Sequence, residues 1–65
     1  MEAHVKRLAD SGMIIIGRVK DVGGKAVVIQ DTKDVVANIL RNNPNVTVQD
    51  LIDKYDGTYL RVELI

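Results

Sequence analysis

Gly12-Met13-Ile14-Ile15-Ile16-Gly17-Arg18-Val19-Lys20-Asp21-Val22, then Gly23-Gly24, then Lys25-Ala26-Val27-Val28-Ile29-Gln30, is the stretch that decides the fold. Two β-branched runs flank a Gly-Gly pair. Two-residue hairpin loops need positive φ, which glycine adopts without steric cost, so the stretch predicts one β-hairpin. With Gly23-Gly24 as the loop, Val22 faces Lys25, Val19 faces Val28 and Arg18 faces Ile29. Strict alternation then places Met13, Ile15, Val19, Ala26 and Val28 on one face. The other face takes Ile14, Ile16, Val22, Val27 and Ile29, with Arg18 and Lys20 among them.

A strand with one wet face alternates apolar and polar residues. This one does so only from Arg18 to Asp21; around Ile14 to Ile16 both faces are aliphatic. That half of the hairpin is therefore expected to be covered on both sides, with an N-terminal helix or another chain as the second cover.

The remaining segments read as material around the hairpin. Upstream, Val5, Leu8 and Ala9 fall at i, i+3, i+4, which predicts a short helix over Glu2 to Asp10 with Ser11-Gly12 as its stop. Downstream, Val35, Val36, Ile39 and Leu40 form the stripe of a helix over Asp31 to Asn42. Asp31 or Thr32 can accept from its first amides, Asp34 adds negative charge to the first turn, and Pro44 ends it. A second helix over Val48 to Tyr55 follows Thr47, a natural N-cap with Asp50 three residues on, and Val46 and Leu51 occupy the staple positions. Gly57 is its expected terminator. Thr58 to Ile65 alternates Leu60, Val62 and Leu64 with Tyr59, Arg61 and Glu63, the pattern of a half-buried strand. The expectation is a single small α+β domain spanning residues 1–65, in the order (α)ββααβ. It comprises a three-stranded, mainly antiparallel sheet with two helices packed on one face.

Composition limits what such a chain can do. At 65 residues it buries only ~60% of the surface its unfolded form exposes, and domains of this size often rely on disulfides, a metal or a second copy. There is no Cys and a single His, which excludes a disulfide framework, a thiolate site and a histidine cluster within one chain. Oligomerisation is the remaining staple. Nine basic residues balance nine acidic ones, which argues against a dedicated binder of phosphate backbones or anionic membranes. The Met13–Ile16 run is too short to span a bilayer and the N-terminus lacks an apolar h-region, so a cytoplasmic protein is expected.

No motif here carries catalytic chemistry. A nucleophile needs a base and the base an orienter; Ser11, the threonines and His4 show no such arrangement. The pairs Asp31/Asp34 and Asp50/Asp53 sit at helix starts, where caps explain them. Gly23-Gly24 leads into a strand and lacks the Lys-Ser/Thr ending of a phosphate loop. Asn45-Val46-Thr47 is a sequon formed by a helix cap. Arg18, Lys20 and Lys25 share one face of the hairpin, and a two-stranded ribbon can enter a major groove. Asp21 interrupts that patch, and neither Tyr lies in the hairpin to stack a base.

Residues Gly17 to Ile29 resemble the opening hairpin of swapped-hairpin AbrB/MazE-type DNA-binding proteins, and Asp56 to Val62 is similar to their later turn and strand. Gln30 stands where those proteins usually have Pro, and two helices replace one short one. The same hairpin resembles the start of an OB barrel and the core of an Sm-like barrel. One stretch that resembles three families selects none of them.

The reading that follows is a non-enzymatic, self-associating interaction domain without cofactor or metal. It is expected to be a homodimer or larger, formed through Met13, Ile14, Ile15 and Ile16 or through an unpaired strand edge. The alternative is a nucleic-acid-binding regulator using Arg18, Lys20 and Lys25. An enzyme would require a site shared between subunits, holding His4 and carboxylates of two chains.

Overall fold

The computed structural model describes residues 1–65 and orders them as β1 (Glu2–Ala9), β2 (Gly12–Val22), β3 (Lys25–Asp31), α1 (Val35–Asn42), α2 (Val48–Tyr55) and β4 (Leu60–Leu64). The strands form one open antiparallel sheet in the order β3-β2-β1-β4, so neither barrel architecture applies. No helix is long and apolar enough to cross a membrane.

The sheet has four strands rather than three, because Glu2 to Ala9 is a strand and not a helix. The helical spacing of Val5, Leu8 and Ala9 coincides with a period-two pattern in which Ala3 and Val5 face inward. A helix this short is marginal alone, whereas as a strand the segment pairs on both sides, with β2 and β4. Ser11-Gly12 is thus the end of a hairpin turn, with Gly12 at φ 113°.

The second hairpin turns where expected. Gly23 and Gly24 have φ of 60° and 80°, as a type I′ turn demands. Val22 opposes Lys25 and Val19 opposes Val28, but Arg18 opposes Gln30, because Ile29 is an extra residue in a bulge. A second bulge leaves Ile16 unpaired between Gly17, opposite Val5, and Ile15, opposite Lys6. A bulge shifts the alternation by one residue. Strict alternation therefore fails across Ile16: Ile14, Ile16, Gly17, Val19 and Asp21 face the helices, while Met13, Ile15, Arg18, Lys20 and Val22 face the other way. Gly17 is obligatory at the crossing. A Cβ there would lie 2.7 Å from the Gln30 carbonyl oxygen and 2.8 Å from Val36 Cγ2.

The core is one aliphatic cluster between sheet and helices: Ala3, Val5, Ile16, Val19, Val36, Val48, Leu51 and Val62. Each such Val, Leu or Ile contributes on the order of 1.5–3 kcal/mol when buried. A core this small leaves helix ends to matter. Helix α1 starts at Val35 rather than Asp31, so Asp34 is not in its first turn but is its N-cap, in the left-handed region at φ 56°. Its cap comes from Asp31, whose carboxylate accepts from the N–H groups of Val36 (3.4 Å) and Ala37 (2.8 Å). Helix α2 has the expected capping box between Thr47 and Asp50. The carboxylate of Asp21 also reaches it, accepting from Val48 N–H at 2.8 Å. Asn43 joins the helix ends by donating to Ile39 O (2.9 Å) and to the Tyr55 hydroxyl (3.1 Å).

Loops fasten both outer edges of the sheet. Ala26 N–H on β3 donates to Val46 O at 2.7 Å. On β4, Val62 N–H donates to the Asp56 carboxylate at 3.2 Å, and Leu60 O accepts from Gly57 N–H at 2.7 Å. Next to it, Ile65 N–H donates to Glu2 O at 3.0 Å, joining the last residue to the first strand.

Candidate binding surface

The two helices cover one side of the sheet and leave the other bare. On the bare face the register sets side chains in rows across the strands. Val27, Lys20 and Glu2 form one row, and Gln30, Arg18, His4 and Glu63 the next. Ile15, Lys6 and Arg61 follow, then Met13 and Leu8. Met13, Ile15, Leu8, Val22 and Val27 are all exposed here, whereas no large apolar side chain of either helix is exposed.

Charge is sorted as strongly as hydrophobicity. The bare face carries Lys6, Arg18, Lys20, Lys25 and Arg61 against Glu2 and Glu63 only. Asp21 and Asp31 point the other way, onto the helix N-termini, and Asp50 and Asp53 bond within α2. The expectation that Asp21 interrupts the basic patch is thereby corrected: it lies on the opposite side of the sheet from Arg18 and Lys20. Lys6 pairs with Glu63 at 3.0 Å and Arg61 with Asp56 at 2.8 Å. The Asp56 carboxyl is held below its ordinary range by the Arg61 hydrogen bond first and the Val62 N–H second. Arg18, Lys20 and Lys25 have no ion-pair partner, and the buried Nε of Arg18 has no hydrogen-bond acceptor. His4 lies between Arg18 and Glu63 in register. No group of three or more His, Asp or Glu side chains is placed to hold a metal ion.

The Met13–Ile16 run is split by its bulge. Ile16 is 1% exposed and belongs to the core, while Met13, Ile14 and Ile15 are 38%, 39% and 54% exposed. These three lie next to the turn that joins β1 to β2. Strand β3 pairs with β2 only from Gly17 onward, so Gly12 to Ile15 has no strand on that side. Sequence reasoning named the Met13–Ile16 run and an unpaired edge as alternatives and could not bring them together, because that depends on the bulge at Ile16 and on β1 being a strand. The side taken by Asp21 follows from alternation along β2 and was overlooked.

No family model, curated protein or solved structure matches the chain. The class it defines is a small α+β domain with a four-stranded antiparallel sheet covered by helices on one face.

Proposed function

We propose that this is a non-enzymatic interaction domain that works as a homodimer or higher homo-oligomer. The observation that carries the reading is the concentration of exposed aliphatic side chains at the free end of the first hairpin, where Met13, Ile14 and Ile15 adjoin an unpaired strand edge. Exposed apolar patches of this kind mark association surfaces. Ile16 takes no part in it. Sedimentation equilibrium at micromolar concentration tests the reading: a dimer or larger species is expected, and a stable monomer overturns it.

A second reading is favoured by the three unpaired cations Arg18, Lys20 and Lys25 on a face nearly free of acid: a nucleic-acid-binding regulator. A gel shift with duplex and single-stranded probes tests this. Binding that weakens with salt and is lost when all three are changed to Ala supports it; binding indifferent to those changes rejects it.

A further inference from the structure

The geometry points to one mode of self-association: two copies pair their β2 strands antiparallel across Met13–Ile15, with Ile14 on the two-fold axis. This rests on the reading of the domain as a homo-oligomer and specifies its contact. Hydrogen bonding in the sheet alternates. Leu8 N–H donates to Tyr59 O and Asp21 N–H to Met1 O, so even-numbered residues of β1 bond toward β4 and odd-numbered ones toward β2. Ile14, opposite Arg7, is therefore bonded inward, while Met13 and Ile15, opposite Leu8 and Lys6, direct their N–H and C=O groups to the empty side.

Only one symmetric register satisfies all four groups. With Ile14 facing its own copy, Met13 of each chain opposes Ile15 of the other, and each such pair exchanges two hydrogen bonds. Centring on Met13 or on Ile15 brings Ser11 of the turn or Gly17, already paired with Asp31, into a position that cannot complete the ladder. The side chains agree with the backbone. Ile14 meets Ile14 on the helix side and Met13 meets Ile15 on the bare side, apolar pairs of the kind that stabilise sheets.

Charge opposes one competing arrangement, and the lack of exposed aliphatic partners the other. Stacking two bare faces would oppose the unpaired Arg18, Lys20 and Lys25 of both chains. Stacking a bare face on the helices would set its aliphatic side chains against a surface with none exposed. Gly12 to Gly17 carries no charge, and the other edges are fastened by Val46, Asp56 and Gly57. The matching partner is this same neutral segment in a second copy.

The chain has no cysteine, so single cysteines report the register cleanly. In a non-hydrogen-bonded antiparallel pair the Cα atoms lie about 4.5 Å apart, within disulfide range. Under mild oxidation at micromolar concentration, Ile14→Cys is expected to form a covalent dimer at least about tenfold faster than Ile15→Cys, with circular dichroism of both matching the parent. A parent that sediments as a dimer while Ile14→Cys cross-links no faster than Ile15→Cys overturns the strand pairing and leaves the oligomer reading standing. A monomeric parent overturns both.

Discussion

Asp21 and Val48 are joined across the domain: the carboxylate of one, on the inner strand β2, accepts the backbone N–H of the other at 2.8 Å. The bond stitches the start of α2 to β2, and negative charge beside a helix N-terminus is favourable. Asp21→Ala is expected to cost about 1–2 kcal/mol in urea unfolding. Asp21→Asn, which keeps an acceptor, is expected to cost less than the Ala change. Equal losses would show that the acceptor geometry does not matter.

Gly17 gives a steric test of the crossing. Its missing side chain admits the Gln30 carbonyl and Val36, so Gly17→Ala is expected to destabilise by about 1–3 kcal/mol through overpacking. The control is Gly57→Ala, where the nearest atom would lie at 4.0 Å; a change within about 0.5 kcal/mol is expected there. Thermal melts of the two variants make the comparison.

Ile15 and Ile16 are chain neighbours with opposite fates. Truncating Ile16 to Ala removes a core side chain and is expected to cost about 2–5 kcal/mol. The same change at Ile15, 54% exposed, is expected to stay within about 0.5 kcal/mol when measured at concentrations low enough to keep the chain monomeric. Chemical denaturation reads both.

Acid sensitivity tests the loop before β4. The folded-state pKa of Asp56 lies below its ordinary 3.8 because Arg61 and the Val62 N–H bind the charged form. A depressed carboxyl contributes stability that is present above the unfolded value and lost as pH falls through the folded one. The melting temperature of the parent is expected to exceed that of Asp56→Asn at pH 6, and the gap is expected to close as pH drops below about 4. A gap independent of pH would show that the carboxylate's charge plays no part.

Local chemistry made much of this legible from the residues. Gly23-Gly24 specified its turn, Thr47 and Asp50 their capping box, and Leu60 to Leu64 its alternation, because in each the signal lies within a few residues. Glu2 to Ala9 was not legible: Val5, Leu8 and Ala9 fit a helical period while Ala3 and Val5 fit a period of two, and the decision is made by β2 and β4, distant in sequence. Ile16 and Ile29 carry no local mark of a bulge, yet the bulge at Ile16 decides which of Met13, Ile14, Ile15 and Ile16 reach the surface. Arg18 and Lys20 were correctly placed together, and the same period of two along β2 puts Asp21 on the opposite face, a local signal that was legible and overlooked.

The bond from Ile65 to Glu2 has a bearing on biogenesis. Among the elements of this domain strand β1 leaves the ribosome first and its outer neighbour β4 last, so the long side of β1 must wait through the synthesis of both helices. During that interval the nascent chain presents a bare backbone row flanked by Leu8, open to capture by another growing copy. A proteolytic nick that released β4 would restore the same vulnerable intermediate in the finished protein.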